Sequence, residues 1–392
     1  MSRSSGESPD GRRGWLVAVT GALAMIFTFG TAFSYGVFMT PFSNAFGVEP
    51  LALSTVFATM LFAFYIGAGV VGVFGARVPS RAILLVCAAI SGLLAPSLYV
   101  VEGYVGLLVV FGSLGLALGT VFVVLASIVP RWFDANRGAA TGLIFAGNGL
   151  GLFVLPPAWQ YAIDASGVRN GFFVVLSITA VAFFAAGVTC RRPGWAKRST
   201  ASAGEILEWV RGLAGTRTFR LLFVGVGLSF AWYQLLAAYA IDLFTARGMT
   251  AAGASLAFGF VGGFSIISRL GSGFVADTVG YRRTFIVSLG SAAIGGALLI
   301  PAHSIATALS VFCLGIGLGG SATLYIPVLM QTYSRTKDTA VIGIFNVAIG
   351  TFSLVAPPIG TAIVASTGSY TAVILLTVFA LLGAIWAIAV GS

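Results

Sequence analysis

Charge is what this chain has least of. Only 8% of its 392 residues are Asp, Glu, Lys or Arg, against about 25% in a soluble domain. Apolar residues make up 58%, and mean hydropathy is +1.02. A water-soluble globular protein is excluded. Histidine occurs once, His303, and cysteine three times, Cys87, Cys190 and Cys313, with no CxxC pair. The sequence therefore calls for no metal, redox centre or cofactor. Asp164 and Asp242 fall at the ends of apolar runs, so no buried group of acids, histidines or cysteines supports an enzyme. Gly315 to Gly320 lacks the Gly-Lys-Ser/Thr ending of a phosphate loop. The long apolar stretches do not alternate, which argues against a membrane β-barrel.

What is present is a succession of apolar runs near 20 residues long, the length that spans a bilayer as helix. Twelve are expected, at 15–40, 52–76, 82–101, 104–130, 138–163, 170–190, 219–245, 251–276, 284–303, 305–333, 339–366 and 370–390. With the amino terminus in the cytoplasm, 18 of the 21 Lys and Arg fall in cytoplasmic segments. Arg169 and Arg247 fall outside, and Arg269 in neither set. Basic residues gather on the cytoplasmic side of membrane proteins, so both termini are expected inside a cell membrane. The net charge of +10 is spread over six loops and a tail. It reads as a topology signal and not as a nucleic-acid surface.

Motifs recur at an offset near 200. Leu114–Gly119 resembles Leu314–Gly319, Gly142-Leu-Ile-Phe145 resembles Gly343-Ile-Phe345, and Pro156-Pro157 recurs as Pro357-Pro358. The fold class expected is an all-α membrane protein of two six-helix parallel repeats, with a substrate site between them at mid-membrane. The units are a tail, 1–14, a bundle, 15–190, a central cytoplasmic segment, 191–218, and a second bundle, 219–392. Ile206, Leu207, Val210 and Leu213 share one helical face. They predict a short interfacial helix, with a solvated linker as the alternative.

Arg269 lies inside an apolar run with no carboxylate within two helical turns of its own segment. A cation at mid-bilayer costs at least ~2.5–3.5 kcal/mol, so it faces a cavity or a partner. Either it awaits an anionic substrate or it pairs with Asp242, Asp164 or carbonyls. Small residues, Gly262, Ser265, Ser272 and Gly273, share its helical face. Tyr325, Tyr35 and Tyr65 are candidate hydroxyl donors, or packed aromatics. Asn148 and Asn346 occupy matching glycine-rich runs, where an amide orients a ligand or bonds across helices. Phe122 and Phe345 are cavity walls or ordinary packing. Pro41, Pro130 and Pro327, with the two Pro pairs, provide bending points.

The spacing G-x-x-x-D-x-x-G-x-R-R, here Gly273, Asp277, Gly280, Arg282 and Arg283, resembles a loop signature of the major facilitator superfamily. A second copy, expected after the second run, retains Arg77 and Arg81 but has Ala76 where the Asp would stand. Three further segments resemble the monocarboxylate transporters and oxalate:formate antiporters of that superfamily. They are Trp132-Phe133 with Arg137, Gly142, Gly147 and Gly151; Ser34-Tyr35-Gly36 with Phe38, Pro41-Phe42 and Phe46-Gly47; and Ser268-Arg269-Leu270-Gly271. The resemblance implies a monomeric secondary carrier working by rocker-switch alternating access, with Arg269 as the carboxylate-binding residue. Ser265 stands where members often have an acid, and Trp15 to Pro41 holds no lysine. No Lys or Arg follows Lys337, so the second cation of the oxalate carriers is missing. One cation balances one carboxylate, and a lactate- or pyruvate-like monocarboxylate is expected over a dicarboxylate. Asp242 is the candidate for coupling in a symporter. A drug or sugar carrier is the alternative.

Overall fold

The computed structural model describes residues 8–74, 78–193, 208, 211–333 and 338–391, and no strand occurs among them. In hydrocarbon every backbone N–H and C=O needs an internal partner, and a helix supplies it within one segment. In chain order the helices are α1 (Arg12–Phe33), α2 (Met39–Phe46), α3 (Pro50–Phe74), α4 (Ser80–Leu94), α5 (Gly103–Ile128), α6 (Arg137–Thr189), α7 (Arg217–Ala246), α8 (Ala251–Val279), α9 (Tyr281–Leu298), α10 (Ser304–Thr332), α11 (Asp338–Thr367) and α12 (Tyr370–Gly391). Ten of these are long and apolar enough to cross a bilayer. α6 counts once among the ten but passes twice, because Gly167 at φ 81° and ψ 167° breaks it. The 18-residue α9 makes the twelfth pass.

Three boundaries differ from the sequence expectation. The first span ends at Phe33, not near residue 40. The chain then turns through a 3-10 segment, Tyr35–Phe38, into the eight-residue α2. Pro41 lies in the first turn of α2, where its missing N–H costs little. The third span likewise ends in a 3-10 turn, Ala95–Tyr99. Of the expected linker helix, Glu208 and residues 211–214 are helical, while Ile206, Leu207 and Val210 lie outside the described residues.

The repeated glycines make the same contact in each half. A Cβ at Gly115 or Gly119 of α5 would lie 2.1 or 1.9 Å from the carbonyl oxygens of Met60 and Phe64 on α3. At Gly315 or Gly319 of α10 it would lie 2.8 or 2.3 Å from those of Val261 and Ser265 on α8. Small residues let helix backbones approach in a membrane. The α1–α6 contact uses Gly147 and Gly151 on α6. Its counterpart reverses the device, since Phe352 of α11 fits against Gly227 of α7.

An even number of passes puts Arg12 and Gly391 on one face, termed the terminal face. Towards the opposite face the two halves touch. The Phe33 and Tyr233 rings are 5.0 Å apart. A Cβ at Gly36 would be 2.6 Å from the Ala237 carbonyl oxygen. Gly259 and Gly262 of α8 meet Leu152 and Phe153 of α6. Towards the terminal face the halves also meet, where Gly69 of α3 lies against Gly343 of α11, and α6, α8 and α10 line a cavity of about 1100 Å³.

Candidate functional site

Arg269 reaches the interface because the inward face of α8 is small and polar. Ser255, Gly259, Gly262, Ser265, Ser268 and Ser272 are buried along it, at helical spacing. Gly319 of α10 packs beside the Arg269 backbone, and Ser268 Oγ donates to the Ile316 carbonyl at 2.6 Å. The Arg269 side chain is only 7% exposed. Its Nε and Nη2 make no hydrogen bond within the protein. Among the described residues the groups acting on it electrostatically are the Tyr233 and Tyr65 hydroxyls, with no carboxylate.

A small pocket at this point holds about 20 Å³, room for about one water. Of the residues singled out in the sequence, Arg269, Tyr65, Tyr325, Asn148, Asn346 and Phe122 all line it. They come from α8, α3, α10, α6, α11 and α5, so both halves contribute. Phe29, Phe145 and Phe230, with Ala322, Ile326 and Ile349, complete the walls. Phe29 and Phe122 rings lie 5.1 Å apart, and Phe230 meets Tyr325 edge-on at 5.2 Å. Asn148 Oδ1 accepts from Thr28 Oγ1 at 3.1 Å, while its Nδ2 has no partner. The Tyr65 hydroxyl lies near the Gln234 amide, yet neither group closes a hydrogen bond. The Tyr233 hydroxyl and both polar atoms of the Asn346 amide are likewise unbonded. Buried polar atoms are nearly always satisfied, so this concentration of free donors marks a place for an acceptor.

Tyr35, Ser265 and Phe345 are not among the pocket's lining residues. Tyr35 belongs to the 3-10 turn beyond α1, where its ring stacks on Phe57 at 4.9 Å. Ser265 donates to the Gly262 carbonyl at 2.6 Å and lies against Gly149 of α6. Phe345 packs with Phe219, Phe223 and Tyr333. Sequence reasoning missed Tyr233 and Gln234, which adjoin in α7 and face the guanidinium and Tyr65. Two adjacent polar residues in an apolar run were the available signal.

The loop motif is largely visible. Gly280 joins α8 to α9 at φ 100°, which favours glycine. Tyr281 Oη donates to Asp277 Oδ1 at 2.6 Å, and Arg282 reaches the Ala389 carbonyl at the end of α12. Asp277 and Gly273 line the large cavity. Arg283 is exposed. Arg137 begins α6, with its side chain outside the description, and Ala76, Arg77, Arg335 and Lys337 are outside the described residues altogether. Asp242 is partly buried near Tyr370, far along α7 from the pocket.

Similarity to known proteins agrees with this architecture. The chain is 28% identical over 376 residues to the MFS-type transporter 1 of Ophiocordyceps sp. (strain BCC 1869), covering 92% of this chain and 81% of that protein. It is 25% identical over 388 residues to the oxalate:formate antiporter of Oxalobacter formigenes, covering 93% and 88%. With monocarboxylate transporter 2 of Rattus norvegicus it shares 24% over 405 residues, covering 92% and 79%. A crystal structure of a variant of the nucleoside transporter NupG superposes with a TM-score of 0.77 at 11% identity, over 97% of this chain and all of that one. The sequence profile of the Major Facilitator Superfamily matches residues 21–348, and again 221–391. With twelve passes in two repeats, a pocket between them and this match, the chain belongs to the major facilitator superfamily.

Proposed function

We propose that this protein is a secondary carrier of a small monocarboxylate anion, held at Arg269 and exposed to each side in turn as the two halves rock. The observation that carries the reading is a buried guanidinium with unbonded Nε and Nη2 and no carboxylate acting on it. Leaving a buried charge uncompensated costs about 3–5 kcal/mol, and an anionic substrate would supply the missing partner. Tyr65, Tyr325, Asn148 and Asn346 would add donors to its oxygens, and Phe122 a wall. Tyr35, Ser265 and Phe345 would act indirectly, through packing around the site. The chain works as a monomer, with both termini in the cytoplasm of a cell-membrane protein and no chemical conversion of substrate. In this scheme Gly273, Asp277, Gly280, Arg282, Arg283 and Arg137 form the inner loop set that resists sliding of the halves. Asp242 is the coupling residue.

The test is calorimetric binding of lactate-sized acids to purified, folded protein. Arg269→Gln should lose about 2–4 kcal/mol of binding free energy, as expected for a broken charged pair. Arg269→Lys should also lose affinity, since a point charge replaces a planar two-pronged donor. Tyr325→Phe should lose about 1 kcal/mol, a typical net hydrogen bond. Unchanged affinity in Arg269→Gln would remove the anion site and leave a neutral-substrate or drug carrier as the better account.

A further inference from the structure

We infer that the acid held at Arg269 has an apolar body, an alkyl, branched or phenyl group of several carbons, in place of the hydroxyl, keto or second carboxylate group of lactate, pyruvate or oxalate. This rests on the monocarboxylate reading and narrows its substrate class. The pocket at the guanidinium holds only about 20 Å³, enough for part of a carboxylate head and no more. That pocket and the 1100 Å³ cavity share Arg269, Phe145, Ala322 and Ile326, so the two adjoin. The larger space is the adjoining one that can take whatever is attached to the head.

The walls it meets there are Leu143, Phe145, Ile326 and Pro327, with Leu270 and Phe274 exposed at the open side. Among the described residues, the side-chain hydroxyls that line this region are those of Thr141 and Thr323. The Thr323 hydroxyl donates to the Gly319 carbonyl at 2.9 Å. Asp277 accepts from Tyr281. It stands eight residues beyond Arg269, about 12 Å along the helix, and its charge repels a second carboxylate. The free donors cluster at the head: Arg269, Tyr65, Tyr233 and Asn148. A substrate hydroxyl or ketone against Phe145 and Ile326 would lose water and gain no bond, which is unfavourable. A methylene there leaves water and gains contact. The arrangement therefore grades acids by apolar length once the carboxylate is in place.

The experiment measures binding to the full-length protein in detergent by calorimetry. The ligands are acetate, propionate, butyrate, valerate and hexanoate, with phenylacetate, lactate, pyruvate, oxalate and methyl hexanoate alongside. Affinity should rise about two- to fourfold per methylene, the upper value being the full transfer of a CH₂. Phenylacetate should exceed lactate by about tenfold or more. Phe145→Ala, at a wall common to both spaces, should flatten the series. A flat or falling series in the wild type, with binding still lost in Arg269→Gln, would overturn this inference and leave the carboxylate reading intact. Lactate or oxalate binding above valerate would do the same. Methyl hexanoate binding as tightly as hexanoate, or an equal rise in Arg269→Gln, would overturn the carboxylate reading itself.

Discussion

At Arg269 function and stability pull in opposite directions. A structural arginine would be bonded, and its loss would leave partners stranded. This one is buried with Nε and Nη2 free. Replacing a poorly compensated buried charge by a neutral group is neutral or stabilising, by about 1–4 kcal/mol where packing is kept. Arg269→Gln should therefore melt no lower than wild type without ligand, by differential scanning fluorimetry. A fall of several degrees would make the residue a strut and not a binding group. Its importance was legible in the sequence because a lone cation in an apolar run is too costly to keep without a use. Its neighbours were less so. Tyr65 and Tyr35 read alike as aromatics in apolar runs, but one lines the pocket and the other stacks on Phe57 beyond the end of α1. Periodicity gives a helical face, not the depth along the helix at which a cavity opens. Tyr233 and Gln234 stayed hidden for the same reason.

The glycines separate contacts within a half from contacts between halves. Gly151 and Gly36 both press on backbone, which no side-chain rearrangement relieves. A Cβ at Gly151 would lie 2.0 Å from the Ile26 carbonyl oxygen inside one bundle, and at Gly36 2.6 Å from that of Ala237 in the other. Gly151→Ala should lower thermal stability by more than about 1 kcal/mol, as overpacking does, with little change in the balance of conformations. Gly36→Val should be relieved by parting the halves at the opposite face. Spin labels flanking the Tyr35–Phe38 turn and α7 should then report a longer distance, with the melting temperature nearly kept. Equal destabilisation and an unchanged distance in both variants would mean that this contact does not open. The passes were readable from length and hydropathy, whereas their ends were not, because Tyr35–Phe38 stays apolar through the turn and only Ser34 marks its start.

Asp10 ties the amino-terminal segment to the loop ahead of α6. Its Oδ1 accepts from the Asn136 amide N–H at 2.8 Å, and Oδ2 from those of Asp134 and Ala135 at 3.1 Å each. These donors, the Asn136 N–H first, hold its carboxyl below the usual carboxylate range. A depressed acid stabilises the fold fully above its unfolded value, about 3.9, and loses that contribution as pH falls through the folded one. Asp10→Ala should therefore melt below wild type at pH 7, with the gap closing below about pH 4. A gap independent of pH would assign the effect to packing.

For the molecule as a whole, the orientation in the membrane follows from charge placement and not from the fold, since either face of two six-pass bundles can in principle point inward. The cost of carrying basic loops across a bilayer decides it. The duplication was legible because its glycine pairs must recur wherever α5 meets α3 and α10 meets α8. Both repeats cross six times, so residues after α6 and after α12 share a side whatever that side is. The sequence adds its sign, since 18 of 21 Lys and Arg fall in the segments expected on the cytoplasmic side. Reporter fusions after Arg198 and at the carboxyl end should both read as cytoplasmic, and one near Glu102, between α4 and α5, as external. A split between the first two would break the even count of passes. Agreement between them with the sign reversed would keep the fold and overturn the charge argument alone.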